Sequence, residues 1–268
     1  MSSSTKGTAL ITGASTGIGA TYADRLAKRG HDLILVARDS ARMEILAERL
    51  RSETGVKIEV LAADLTADPD IAKVEQRLAD DASITLLVNN AGMSLNGGIL
   101  ENGPTELTRI VTLNITTPTR LASAAGKAFV ARGNGAIINI ASVLALAPEM
   151  SDGVYSGTKA FMLNLSQSMA AQNKHKGLYV QAVLPGATRT EIWERSGKDV
   201  DAFPPEIVMD VNDLVDAALV GFDRGETITI PPLADEGQWT ALQQARLAMA
   251  PNLSRRDVAS RYREAVLA

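Results

Sequence analysis

The stretch TALITGASTGIG, residues 8–19, is the one whose reading decides the fold. Its first five residues are near-continuously apolar or β-branched, the pattern of a strand covered on both faces. Glycines follow at 13, 17 and 19. They permit a tight turn and close backbone approach. The helix-length segment IGATYADRLAKRG comes next and is closed by Gly30. A helix beginning at such a turn offers free N–H groups to a phosphate. The glycines do not match G-x-G-x-x-G, so the order strand, turn, helix carries the inference of a dinucleotide site.

Working outward, similar apolar runs recur at 32–37, 57–62, 84–89, 135–141, 178–184 and 227–230. Helix-length segments separate them, and Asp68-Pro69 reads as the N-cap and first-turn proline of one. This alternation predicts an α/β fold, a doubly wound parallel sheet of about seven strands with helices on both faces. With no linker, repeat or low-complexity segment, residues 1–268 read as a single Rossmann-like domain. Ligands in such folds lie beyond the carboxyl ends of the strands.

An NAD site wants a carboxylate about 20 residues after the turn, at the end of the second strand, for the ribose 2′-OH. Here that position is Ala37, and Arg38 follows. A missing carboxylate at that position and a guanidinium beside it suit a 2′-phosphate, so NADP(H) is the expected cofactor.

Composition narrows the function class. The chain has 268 residues, 46% hydrophobic and 22% charged, with a net charge of −4. No basic field points to nucleic acid or to a membrane surface. Cysteine is absent, and His31 and His175 lack metal-ligand spacing, so no metal site is expected. No apolar run reaches membrane-spanning length, and the N-terminal MSSSTKGTALITG lacks a signal-peptide core. The expected location is cytoplasmic.

Tyr155 and Lys159 lie four apart in VYSGTK, residues 154–159, on one face of a helix. A lysine cation beside a phenol favours the phenolate. Gly157 between them is a poor helix former. It suggests close approach of a cofactor or a neighbouring helix.

With TGASTGIG, the NNAG of residues 89–92, Ser142 thirteen residues before Tyr155, YSGTK, and the PGATRT of residues 185–190, the chain resembles the short-chain dehydrogenase/reductase family over residues 8–230. The resemblance implies hydride transfer between NADP(H) and a carbonyl or alcohol. Tyr155 would be the acid or base, Lys159 its electrostatic partner and a ribose ligand, and Ser142 a hydrogen bonder to the substrate oxygen. Asn114 in TLNITTPTR would end a proton relay. Pro118 supports this, because a proline leaves the carbonyl four residues back, that of Asn114, without its helical partner.

By the same resemblance the cofactor would be met by Gly13, Ser15, Thr16, Gly17, Ile18, Gly19 and Arg38. Asp64 and Leu65 would lie at the adenine, Asn90, Ala91 and Gly92 at its ribose, and Pro185, Gly186, Thr188 and Thr190 at the nicotinamide. Leu144, Met150 and Trp193 would line the substrate site with Ser142 and Tyr155. The segment at about 187–212 would be a lid, its Trp193 and Phe203 either substrate contacts or lid core.

An apolar ketone or aldehyde, or a 3-oxoacyl compound, is the expected substrate. A non-catalytic NADP(H)-binding regulator, or an epimerase or dehydratase using the same Tyr/Lys pair, is the alternative. Two charge-poor helices, at about 105–132 and 153–175, are expected to form a homodimer or homotetramer seam. The C-terminal extension, about 235–268, places Trp239, Leu242, Ala245 and Met249 on one helical face and then turns arginine-rich.

Overall fold

The protein is described by a computed structural model covering residues 6–150 and 153–263. Readings of the first five residues and of the last five of the arginine-rich tail lie outside the described residues.

Seven parallel strands form one sheet: β1 (Thr8–Thr12), β2 (Asp32–Ala37), β3 (Ile58–Ala62), β4 (Ile84–Asn89), β5 (Gly135–Ile140), β6 (Leu178–Val183) and β7 (Ile228–Thr229). Their order is β3-β2-β1-β4-β5-β6-β7, so chain direction across the sheet reverses between β1 and β4. All five residues of β1 are buried, because alternate side chains feed two cores. Ala9 and Ile11 pack with α1 (Gly17–Lys28), α2 (Ser40–Thr54) and α8 (Val211–Asp223). Leu10 faces α3 (Asp68–Asp80) and α5 (Thr117–Arg132) on the other side. The runs near-continuous in sequence are therefore the strands with two buried faces, and the architecture is the doubly wound one expected.

Several helix ends depart from expectation. Asp68 is not a cap: it is the first residue of α3, behind Ala67, which makes no side-chain cap bond. The Asp68 carboxylate pairs instead with Arg120 of α5, and that of Asp70 accepts from the Asp64 amide at 2.7 Å. Gly30 lies one residue past the cap of α1, with φ +87° closing the helix.

The helix foreseen at 105–132 is interrupted. α4 (Pro104–Val111) opens into a π-turn at Thr112–Thr116 before α5 begins. Within it the Thr117 amide bonds back to the Thr112 carbonyl, five residues away. Pro118, with no N–H, cannot restore the ladder beyond this point. The next helix, α6 (Gly153–Asn173), runs unbroken.

A short helix, α7 (Ile192–Arg195), lies in the loop after β6. The chain divides into two compact units after Pro231. In the second, α9 (Glu236–Ala248) is capped by the Asp235 carboxylate, and Leu242 and Met249 on its expected apolar face are about half exposed. Among the described residues no helix is long and apolar enough to cross a membrane.

Candidate active site

The reversal of chain direction at β1 and β4 leaves a crevice at their carboxyl ends, and the residues singled out in the sequence gather there. The Gly-rich turn is built for close approach. Gly13 and Gly17 have φ of +67° and +53°, which side chains rarely adopt. At Gly19 the constraint is space: a Cβ would lie 2.3 Å from the Gly13 carbonyl oxygen and 2.5 Å from Asn90 Nδ2. Ile18 turns inward onto the core.

The start of α1 is open. Its N-cap, Thr16, makes no side-chain cap bond, and no acidic residue lies in the first turn. Unclaimed N–H groups and the positive helix end fit a pyrophosphate. Ser15, Thr16 and Gly17 also border a cavity of ≈ 410 Å³ with Arg42, Arg49 and Glu191.

Around this turn several expected cofactor residues act first as braces. Thr12 Oγ1 accepts from the Asn90 and Ala91 amides, each at 3.0 Å. Asn90 Nδ2 donates to the Thr12 carbonyl at 2.9 Å. Its side chain thus locks the end of β4 to the glycine turn. Asn89, the first residue of NNAG, donates from Nδ2 to the Pro118 carbonyl at 3.2 Å and to Asn139 Oδ1 at 3.0 Å.

Arg38 is exposed just past β2, free of a carboxylate at the preceding position, Ala37. Asp64 Oδ1 accepts from the Thr66 amide and hydroxyl at 3.0 and 2.8 Å. Burial alone would raise the pKa of this carboxyl. Those two bonds and the charges of Arg38 and Arg109 outweigh it and hold the group below its ordinary value. Leu65 is buried, its carbonyl accepting from Thr117 Oγ1 at 2.7 Å.

Lys159 is fully buried, and desolvation lowers its pKa to about 8. It therefore stays largely charged at neutral pH. Nζ donates to the Ile140 carbonyl at 2.9 Å and sits 5.6 Å from the centre of the Tyr155 ring. A Cβ on Gly92 would lie 3.6 Å from Nζ and 3.3 Å from Asn114 Oδ1, so Gly92, Asn114 and Lys159 converge. Ser142 follows β5 by two residues. Its Oγ accepts from the Leu144 amide at 3.2 Å and makes only a long 3.4 Å contact to the Pro185 carbonyl.

The Asn114 side chain has a role that sequence did not suggest. Oδ1 accepts from the Met93 amide and Nδ2 donates to the Met93 carbonyl, both at 2.9 Å. Nδ2 also donates to Thr158 Oγ1 at 3.1 Å, and that hydroxyl donates to the Tyr155 carbonyl at 2.7 Å. Both Nδ2 hydrogens and one Oδ1 lone pair are thereby engaged in bracing, so the acceptor offered to a relay is the main-chain carbonyl in the π-turn. Thr158 belonged to the same motif as Tyr155 and Lys159. A hydroxyl three residues past the tyrosine, on a face that proves buried, was the signal available for it.

Beyond β6, Thr188 is buried and bridges Met209 in a short parallel pairing, while its hydroxyl donates to the Gly186 carbonyl at 3.0 Å. A Cβ on Gly17 would touch Thr190 Cγ2 at 3.1 Å. Trp193 Nε1 donates to the Thr188 carbonyl at 2.8 Å, and its ring lies 5.0 Å from Phe203. Both aromatics therefore form a core within the loop. Leu144 is partly buried, and Met150 is 74% exposed at the rim.

Gly157 does not have the protein neighbour suggested for it: it is exposed, and a Cβ there meets nothing within 4 Å. Glu191, Arg42 and Arg195, which join the loop to the glycine turn, went unnoticed in sequence.

Comparisons with known proteins agree with this arrangement. Residues 7–201 match the family described as short chain dehydrogenase. Human 17-beta-hydroxysteroid dehydrogenase type 3 is 34% identical over 184 residues, 68% of this chain and 59% of that protein. The very-long-chain 3-oxoacyl-CoA reductase-A of Danio rerio is 32% identical over 205 residues, 74% of this chain and 63% of that protein. The chain thus spans less than two thirds of these curated relatives. Two solved structures align over nearly their whole length. A short-chain dehydrogenase from Sphingobium yanoikuyae in complex with NADPH is 54% identical with a TM-score of 0.93, covering 95% of this chain and 98% of that one. The bulky-bulky ketone specific alcohol dehydrogenase from Comamonas testosteroni is 51% identical with a TM-score of 0.89, covering 96% and 98%.

Proposed function

The chain belongs to the short-chain dehydrogenase family, and on that premise we propose that it is an NADP(H)-dependent oxidoreductase acting on an apolar ketone or aldehyde, or a 3-oxoacyl compound. The observation that supports the reading is the placement of Lys159 Nζ, 5.6 Å from the Tyr155 ring, bonded to the Ile140 carbonyl two residues before Ser142, and converging with Asn114 at Gly92. Asn114, Ser142, Tyr155 and Lys159 are the proposed catalytic residues. The glycine turn, Arg38, Asp64, the backbone of residues 90–92 and Thr190 are the proposed cofactor contacts.

A nicotinamide bound there would supply the hydride, or take it up in the oxidative direction. Tyr155 holds the proton for the substrate oxygen on its phenol. An ordinary phenol titrates near 10, so use near neutrality asks for about 4 kcal/mol of preferential phenolate stabilisation. The Lys159 ammonium supplies part of it through space, in a site where burial weakens solvent screening. Ser142 Oγ is held only loosely by Pro185, so its hydroxyl is free to turn and donate to the same oxygen. The Asn114 carbonyl is the acceptor through which a water would reprotonate Lys159 and then Tyr155.

Cofactor choice rests on Arg38 and on the NADPH held by the Sphingobium relative. A charge-assisted bond to a 2′-phosphate is worth about 1.5–3 kcal/mol. Arg38→Ala is therefore expected to raise KM for NADPH about 10- to 100-fold and leave KM for NADH unchanged. An equal effect on both cofactors, measured by steady-state kinetics, would remove the phosphate role. The substrate class rests on exposed apolar side chains in the two segments proposed to border the substrate, Leu146 and Met150 after β5 and Ile207 in the lid, all at least 40% exposed. The ketone and 3-oxoacyl chemistry named for the relatives points the same way.

We further propose a homodimer or homotetramer seamed by α5 and α6, and a cytoplasmic location. Gly153, Gly157, Phe161, Asn164 and Ser168 form an exposed stripe along α6 at the three- and four-residue spacing of one helix face. The missing methyl at Gly157 then suits a helix of another copy. Light scattering is expected to give at least twice the chain mass; a monomer at working concentration would sink the seam. Residues 187–212 are proposed as the substrate lid, and the C-terminal unit as an extension of one catalytic domain.

A further inference from the structure

The loop after β6 is closed at its neck. The Met209 amide donates to the Ala187 carbonyl at 2.8 Å, and the Arg189 amide to the Met209 carbonyl at 3.1 Å. Inside the neck, the Trp193 and Phe203 rings pack 5.0 Å apart. What ties this piece to the cofactor turn is a carboxylate next to Thr190. Glu191 accepts from Arg42 Nη1 through both oxygens at 2.9 Å. Its Oε2 also accepts from Arg195 Nη2 at 2.7 Å, and the same Nη2 reaches Thr16 Oγ1 at 3.4 Å. A chain of charge thus runs from α2 through the loop to the glycine turn.

We propose that Glu191 is a positioning residue that holds the loop in register with the glycine turn, so that ketone binding depends on this bridge. This rests on reading the glycine turn as the cofactor seat and residues 187–212 as the substrate lid. Thr190, one residue away, stands where a Cβ on Gly17 would meet it at 3.1 Å, so a shift at Glu191 is felt beside the glycine turn. Arg42 lies four residues past Arg38, which places the anchor on the element that follows the proposed 2′-phosphate ligand. Single exposed ion pairs contribute little. Glu191 differs in drawing on two arginines from separate elements, and networks of this kind outperform isolated pairs. A second anchor, Lys198 Nζ to Ser94 Oγ at 3.3 Å, holds the loop's far side and leaves the near side to Glu191.

The test is steady-state ketone reduction by the full chain at saturating NADPH. Glu191→Gln is expected to raise ketone KM about 3- to 10-fold with kcat within about twofold of wild type. Arg42→Gln, which leaves the Glu191–Arg195 pair in place, should shift KM in the same direction and no further, and the double variant should be no worse than Glu191→Gln alone. A neutral ketone has no salt dependence of its own. Its KM should therefore rise with ionic strength in wild type and stay flat in Glu191→Gln. Glu194, in the short helix that Glu191 precedes, makes no ion pair among the described residues, and Glu194→Gln should behave as wild type. Unchanged ketone KM in Glu191→Gln, or a salt response like that of wild type, would overturn the proposal. Failure of wild type to bind NADPH, read by quenching of tryptophan fluorescence, would instead remove the cofactor reading beneath it.

Discussion

Tyr155→Phe is expected to lower kcat for carbonyl reduction about a thousandfold while the protein still folds and still binds NADPH. General acid catalysis by a positioned side chain contributes typically about 10²–10⁴ in rate, and Phe removes the proton without removing the ring. The Tyr155 main chain is held independently, its carbonyl accepting from Thr158 Oγ1 at 2.7 Å, so the helix should survive the change. Purified variant and wild type would be compared for NADPH oxidation with the same ketone, with fluorescence titration of NADPH as the control. A variant within tenfold of wild type would mean that another group supplies the proton.

Lys159→Met should separate activity from stability. Activity is expected to fall as far as for Tyr155→Phe, because the ammonium beside the phenol is gone. Stability of the cofactor-free protein is expected to rise. Burial disfavours the charged form of Lys159 and lowers its pKa from 10.5 to about 8. A basic group depressed in the fold is penalised wherever it must be charged in the folded state. The penalty is full below about pH 8 and fades as pH climbs from there to 10.5, where the unfolded chain also loses the proton. At pH 7 the shift corresponds to on the order of 3 kcal/mol, offset in part by the lost bond to the Ile140 carbonyl. Met, similar in length and apolar, should therefore raise Tm by about 5 °C at pH 7, and the gap should narrow toward pH 10. Equal or lower Tm at pH 7 would show that the burial of Lys159 is compensated.

The fold was legible where a strand is buried on both faces. Leu10 and Ile11 face opposite cores, and that requires the unbroken apolar runs from which the sheet was read. Of the proposed catalytic residues, Tyr155 and Lys159 were legible as a pair through their spacing on one helix face, whereas Ser142 and Asn114 entered through the family resemblance. Choices made by distant partners stayed hidden. Asp68 looked like a cap until Arg120, fifty-two residues on, claimed it. The partnership of Glu191 with Arg42 spans 149 residues, and no local pattern marks either end. Pro118 signalled a free carbonyl, yet the π-turn and the bracing of the Asn114 amide by Met93 and Thr158 arise only once β4, α4 and α6 meet.

The central claim is direct hydride delivery to a carbonyl carbon with Tyr155 as the proton donor. It is tested most directly with NADPH deuterated at the transferable position of the nicotinamide, a bulky aryl ketone, and mass spectrometry of the product. The expected result is an alcohol carrying deuterium on its carbinol carbon, formed by wild type and almost absent with Tyr155→Phe. Tight NADPH binding with no labelled alcohol from any carbonyl compound, or equal labelling by the two proteins, would contradict the account.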